Sequence, residues 1–558
     1  MNNKLLLTII SLLSIAPSSV LLAAPSLQGG QGESLHFVDY AIVIASIVLA
    51  IGMGVYFAHR QKDTSTYFTG SGKVPAWAVG MSIFATLISS VTFLAYPGAA
   101  YGGNWILLVQ GLMVPVVLVA LIGIIVPLFR KVIRLSTYEY FERRFGPLAR
   151  FYSSIAFVLT HFTKMGSVFF LVSMALAAFM DINIYWVVAI LGVTIIVLTL
   201  LGGMEAIIWM DVVQGGLLIG GGLLCVVMLL CAFGTPFSAG DILSAAWNAT
   251  AQVGPYEVSK IGVGPFEWDF VETTFWVMVF NGIFYALQKY GTDQTIVQRY
   301  LTAKNDHEAK KAAFIGVFLS VPVWTMFMFV GSLLFAYYQL SPDAAIEGMK
   351  PDAVFPHFIS TQLPVGVRGI IIAAIAAAAI SSLDADLNCL SAIAVQDYLV
   401  RFRPNVSDKV KLMTGRWVVV IAGLGAVGIA LLYIQSNGGA VLETIFSFYA
   451  IFSAGIVGIF LLGLLSRRAN KQGLYVGLAV CILFTAYAML TSPQKMPDGS
   501  KQALLDLGAW NYTHSKYMLG VYSHIIVLVV GYVASFFFKT PEADKELTIH
   551  GWLEGKKG

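Results

Sequence analysis

The chain of 558 residues is 58% hydrophobic and 11% charged, with a mean hydropathy of +0.79. So little charge cannot clothe a soluble protein of this length in polar surface, which excludes the soluble globular classes. The net charge of +4 is accounted for by a loop asymmetry described below, so it implies no nucleic-acid partner. Apolar runs of roughly 18–25 residues recur along the chain, the length that crosses a hydrocarbon core of ~30 Å. The reading is an all-α polytopic membrane protein with membrane lipid as its surroundings.

Residues 1–24 come first. Lys4 precedes the apolar stretch Leu5 to Ile15, and "LLAAP" follows Pro17 and two serines, the order of a signal peptide. Leu21 and Leu22 immediately precede Ala23, where a cleavage site wants small residues, so a retained extra helix is the alternative. Thirteen spans follow, at about 38–58, 77–99, 104–129, 151–180, 184–203, 206–233, 272–298, 307–339, 367–399, 414–435, 440–466, 472–491 and 518–538. Alternate loops from 59–76 to 539–558 carry 25 Lys and Arg, against five in 234–270, 340–366 and 492–517. The first set, with the C-terminus, is expected to be cytoplasmic. Cys225, Cys231, Cys389 and Cys481 fall in apolar spans and read as buried thiols, without metal or disulfide spacing. No extramembrane piece is long enough for its own core.

Polar interruptions mark where a membrane protein does work, because irregular backbone at depth survives only against protein or a cavity. In "FATLISSVTFLAYPGAAYGG", 84–103, Thr86, Ser89, Ser90 and Thr92 interrupt a helix that Pro97, Gly98, Gly102 and Gly103 end. These hydroxyls either support an unwound turn with carbonyls free for a cation or merely let helices pack closely. Asp211 and Lys164 are single charges deep in their spans, and Lys289 lies near the end of one, where snorkelling also accounts for it. The densest case is "AAAISSLDADLNCLS", 377–391. On a helix, Ser381, Asp384, Asn388 and Ser391 form one stripe and Ser382 and Asp386 an adjacent one. Hard oxygen donors in a low-dielectric site suit an alkali cation, and no His and only the single Cys389 in the stretch disfavour zinc and copper. A buried hydrogen-bond network is the alternative.

Five stretches resemble the sodium/solute symporter family, which includes sodium/glucose, sodium/sialic acid and sodium/iodide symporters. They are "YFTGSGKVPAWAVGMSIFATLISSVTF" at 67–93, "GGMEAIIWMDVVQ" at 202–214, "GTDQTIVQRYL" at 291–301, "LPVGVRGIIIAAIAAAAISSLDADLN" at 363–388 and "GIFLLGLLSRRA" at 458–469. The first and third look closest to the sialic acid and sugar branches. The resemblance implies a five-plus-five inverted-repeat, leucine-transporter-like fold, with repeats at 77–233 and 272–466 inside a domain spanning 25–540, and a cytoplasmic tail at 541–558. It also implies transport by alternating access in the inner membrane, with Na+ as the co-transported ion.

Carried over residue by residue, the resemblance puts a sodium site at the carbonyls of Ala85, Ile88 and Ala378 and the hydroxyls of Ser381 and Ser382. A second cation site in some members matches Asp211 and, as a departure from the hydroxyls usual there, Asp384 and Ala385. The substrate contacts match Ser89, Thr92 and Lys164, with Gln110 nearby and Lys289 in place of a gating tyrosine. Ser320 stands where sugar-transporting relatives have a lysine. Two lysines near the pathway favour an acidic sugar such as a sialate or uronate. If Lys164 instead pairs with Asp211 or Asp384, a neutral sugar or another small organic solute is favoured. A membrane sensor needs a fused signalling domain, for which the 19 residues after Lys539 leave no room. An enzyme needs a nucleophile or metal constellation, and "HEAKK" at 307–311 lacks the second histidine of a zinc helix.

Overall fold

The computed structural model describes residues 35–58, 67–68, 70, 72–133, 136–180, 182–232, 235–435, 454–495, 501–503, 505–539 and 545–555. The signal-like segment 1–24 and most of the span expected at 440–466 lie outside the described residues. Nine described helices are long and apolar enough to cross a membrane, and a tenth crossing is a pair broken midway.

That pair is α2, Ala76–Leu87, and α3, Ser90–Gly102, bent by 53° at Ile88–Ser89. It follows α1, Phe37–Ala58. Ser89 is extended and its hydroxyl accepts from the Val91 amide at 3.2 Å, so the residue capping the second half is the one that stops the first. Pro97, expected to help end this helix, sits inside α3 instead. Next come α4, Leu108–Val132, the short α5, Tyr138–Phe145, and α6, Pro147–Met180. The 48 residues of α7, Ile184–Cys231, would extend about 72 Å if straight, more than twice a hydrocarbon core. Gly203, at φ 61° and ψ 179°, breaks it into two arms, which match the two spans expected at 184–203 and 206–233.

A short helix, α8, Ala239–Asn248, and an antiparallel hairpin of β1, Thr250–Val253, and β2, Tyr256–Ser259, fill the next loop. The loop is pinned to the end of α3. Asn104 Nδ2 donates to the Gly264 carbonyl at 2.7 Å, and Lys260 Nζ to the Gly103 carbonyl at 2.9 Å, with the ammonium 4.0 Å from the centre of the Phe335 ring. Burial there pushes the Lys260 ammonium down to about 8.

A second broken helix then appears: α9, Phe275–Gly291, and α10, Gln294–Thr302, interrupted at Thr292–Asp293. It occupies the same place after the hairpin that α2 and α3 occupy after α1, as an inverted-repeat transporter requires. The rest comprises α11, Asp306–Leu340; α12, Pro351–Gln362; α13, Val367–Ile393, continuing to Phe402 through a π-helical turn; α14, Asp408–Gln435; α15, Ile456–Leu465; α16, Lys471–Thr491; and α17, Lys516–Ala534. A final short helix, α18, Ile549–Gly555, belongs to the tail, which is held against α5 where Tyr140 Oη donates to the Leu547 carbonyl at 3.0 Å.

Lipid tails give helices no hydrophobic reason to associate, so close packing rests on small residues. A Cβ on Gly80 of α2 would lie 2.7 Å from Ile315 Cβ, and one on Gly316 of α11 would lie 2.6 Å from Ile83 Cγ2. The two helices therefore meet at backbone distance. The long α7 packs directly on both, and α13, buried along almost its whole length, packs on α7 and α2. Cys225, Cys389 and Cys481 are buried, whereas Cys231, expected to be buried, is exposed at the end of α7.

Candidate functional site

The end of α2 faces the middle of α13. Carbonyls in the last turn of a helix lack intrahelical partners and carry the negative end of its dipole, so this end favours a cation. Ser381 Oγ donates to the Ala85 carbonyl at 3.1 Å and to the Ala378 carbonyl at 3.3 Å, which brings three of the five expected sodium ligands together directly. Ser382 Oγ is fully buried with no hydrogen-bond partner among the described residues. A buried hydroxyl left this way costs free energy unless something else meets it, and a cation accepts its lone pair. Ile88, the fifth, is the extended residue at the break, and its amide donates to the Phe84 carbonyl at 3.0 Å.

Asp211 is engaged by two groups that sequence reasoning missed. Ser82 Oγ donates to its Oδ2 at 2.5 Å and Arg299 Nη2 to the same oxygen at 3.1 Å, while Arg299 Nε donates to Ser82 Oγ at 2.7 Å. Arg299, just past the end of the span expected at 272–298, is fully buried within α10. The other Asp211 oxygen, Oδ1, and both oxygens of Asp384 are buried without hydrogen-bond partners among the described residues. Asp384 lies within the field of Asp211, Arg299 and Asp386. Three orphaned carboxylate oxygens in one dry region are an acceptor set for a cation.

Lys164 has a different partner from those expected. Its Nζ lies 3.0 Å from Asp386 Oδ2 and donates to Oδ1 at 3.1 Å; neither Asp211 nor Asp384 takes it. Lys289 does not snorkel: it is buried and donates to Asp293 Oδ2 at 2.7 Å. Asp293 also caps α10 through the Thr295 amide at 2.8 Å. His161 joins the two pairs, its Nδ1 2.9 Å from Asp386 Oδ1 and its Nε2 3.5 Å from Asp293 Oδ2, with its ring stacked on Phe157 at 3.8 Å between centres. Aspartate after Gly-Thr at the head of a polar run is an N-cap signal that marks Asp293 in the sequence. Nothing comparable marks His161.

Ser89 and Thr92, both buried, stand on the first turn of α3. Ser90 Oγ between them donates to the Val168 carbonyl at 3.5 Å, one turn along α6 from Lys164. Gln110 is buried near the start of α4, its Oε1 without a hydrogen-bond partner among the described residues, and Gly282 of α9 packs against its Cα. Ser90 thus ties the first turn of α3 to α6 one turn past Lys164, whereas Lys289 belongs to the buried pair with Asp293. Next to that pair lies a cavity of only about 10 Å³, lined by residues including His161, Gln288, Thr292 and Asp293.

A helical bundle crossing the membrane many times, with a broken helix at the head of each half and cation-favouring oxygens at one break, defines a secondary transporter of the five-plus-five inverted-repeat class. The model of the sodium:solute symporter family matches residues 67–481, and the chain belongs to that family. It is an integral multi-pass membrane protein and a sodium-coupled solute symporter, not an enzyme, and Na+ is its co-transported ion. Among its relatives, the sodium/sialic acid symporter NanT of Aliivibrio fischeri is 32% identical over 91% of this chain and 95% of its own. The sodium/sialic acid symporter SiaT of Proteus mirabilis is 31% identical over 81% and 90%. The solved substrate-bound, outward-open state of a Na+-coupled sialic acid symporter superposes with a TM-score of 0.79 at 28% identity, covering 91% of this chain and all of that one. A nucleobase-cation-symport-1 transporter shares the fold at a TM-score of 0.53 and 15% identity.

Proposed function

We propose that this chain imports an acidic sugar of the sialate or uronate type, driven by sodium bound at Ala85, Ile88, Ala378, Ser381 and Ser382. The observation that carries the substrate class is Lys164, a cation near the helix break whose side chain keeps 15% exposure among buried neighbours. Ser89 and Thr92 at the start of α3 offer hydroxyls that suit the oxygens of a sugar, and Ser90 between them contacts α6 one turn from Lys164. The named relatives are sodium/sialic acid symporters, which supports the same choice. The pairing of Lys164 with Asp386 favours a second reading, a neutral sugar, since the lysine charge is already matched.

Asp211 and Asp384 are proposed as a second cation site, with Arg299 leaving only Asp211 Oδ1 and the two Asp384 oxygens to serve it. Repeats at 77–233 and 272–466, a bacterial inner-membrane location and a cytoplasmic C-terminus complete the proposal, the last on the strength of the Lys and Arg distribution.

Uptake into proteoliposomes tests it, with N-acetylneuraminate, glucuronate and galactose competing against one another. Lys164→Gln is expected to weaken the two acids by about ten- to a hundredfold, as for a charge-assisted contact worth ~1.5–3 kcal/mol, and to leave galactose unchanged. Equal losses on all three sugars would favour the neutral reading. A sodium Hill coefficient near two, falling to one in Asp384→Asn, is the expected sign of the second site.

A further inference from the structure

The buried ion pairs around Lys164 carry an inference that rests on the acidic-sugar reading. They form an unbroken series: Lys164 on Asp386, Asp386 on His161, His161 near Asp293, and Asp293 on Lys289. Side-chain exposure is 15% at Lys164 and no more than 5% at the other four. Lys164 is thus the most accessible end of the series, and a solute anion arriving there meets a cation already held by a carboxylate of the protein. Asp386 Oδ1 is shared, since it accepts from Lys164 Nζ at 3.1 Å and lies 2.9 Å from His161 Nδ1.

We propose that Asp386 is an internal stand-in for the carboxylate of the solute. It holds Lys164 until a solute anion takes its place, and keeps its bond to His161 Nδ1 once displaced. The exchange replaces one carboxylate by another, so the largely buried lysine never stands uncompensated, a condition that would be strongly destabilising. A neutral solute cannot replace a charge, so it leaves the Lys164–Asp386 pair closed and gains nothing from the lysine. Breaking the internal pair lowers the net affinity for the right solute, which favours its release. Asp386 acts through Lys164 and is therefore a positioning residue for solute selection.

A double-mutant cycle tests this on the whole chain in proteoliposomes, using N-acetylneuraminate and galactose as probes. With the competitor removed, Asp386→Asn is expected to lower the half-saturating N-acetylneuraminate concentration about three- to tenfold, with maximal uptake not raised and galactose half-saturation unchanged. In a Lys164→Gln background the same change is expected to have no effect. Asp386→Glu, which keeps a carboxylate, is expected to stay near the wild-type value. If Asp386→Asn does not fold, Asp386→Ser makes the same comparison. A loss of affinity for both solutes, or an effect that persists without Lys164, would show that Asp386 only braces the bundle and would overturn the proposal while leaving the acidic-sugar reading intact. If Lys164→Gln by itself leaves N-acetylneuraminate unaffected, the acidic-sugar reading fails and the exchange falls with it.

Discussion

Ser381 and Ser382 are neighbours in sequence with different duties. Ser381 Oγ reaches across to the Ala85 carbonyl at the end of α2, whereas Ser382 Oγ lies buried with no hydrogen-bond partner among the described residues. Losing the second hydroxyl breaks no protein contact, so it should act on sodium alone. Ser382→Ala is expected to raise the sodium concentration for half-maximal uptake roughly five- to thirtyfold, equivalent to ~1–2 kcal/mol, with maximal uptake at saturating sodium kept. An unchanged sodium dependence would remove Ser382 from the site. The charged residues differ in how far the sequence revealed them. Lys164, Asp211 and Asp384 are conspicuous because a charge at depth is costly. Their pairing was not legible: Arg299 lies far along the chain from Asp211, and which acid meets which base depends on how α6, α7, α10 and α13 are placed in space. Lys164 accordingly has Asp386, not Asp211 or Asp384, as its partner.

At the scale of the element, the broken helices were half visible. Ser89 and Ser90 after an apolar run mark the interruption in α2 and α3, because hydroxyls cap and unwind helices. The second break, at Thr292–Asp293, falls inside the single span expected at 272–298, because hydropathy averaged over a window does not register a two-residue interruption. Where helices must touch, glycine sets the distance. Gly316→Ala places a Cβ 2.6 Å from Ile83 Cγ2 and should cost ~1–3 kcal/mol through forced separation of α2 and α11, seen as a lower melting midpoint in detergent.

The loop before α12 supplies a pH-dependent contact. Asp343 Oδ2 lies 2.9 Å from His357 Nε2 and its Oδ1 accepts from the Ala345 amide at 2.9 Å, and these bonds hold the carboxyl below its ordinary value. The carboxylate therefore binds its proton less readily folded than unfolded. Its stabilisation is present above the ordinary aspartate value of ~3.9 and is lost as the pH falls through the lower folded value. Asp343→Asn is expected to lower the melting midpoint at neutral pH and to match the wild type at strongly acid pH. A deficit that persisted there would point to packing as the cause.

For the whole molecule, composition and hydropathy were enough to establish a bundle of membrane helices, because the bilayer admits few alternatives. The thirteen spans expected from the sequence correspond to helices or parts of helices wherever the residues are described, including the two arms that Gly203 separates. What hydropathy does not carry is the arrangement of small elements between spans: the β1–β2 hairpin, α8 and α12 are too short or too polar to register in a window sized for a bilayer. Coupling is a property of the whole molecule, because sodium drives transport only if it binds one state better than another. The end of α2 and the middle of α13 approach each other where Ser381 meets the Ala85 carbonyl, so an ion at the proposed sodium site would tie the two elements together.

The most direct test is uptake of radiolabelled N-acetylneuraminate into proteoliposomes holding the purified chain, under an inward sodium gradient or with potassium replacing sodium throughout. The account predicts accumulation above the external concentration with the sodium gradient, collapsing when the gradient is dissipated and absent in potassium. Equal uptake in sodium and potassium would contradict it.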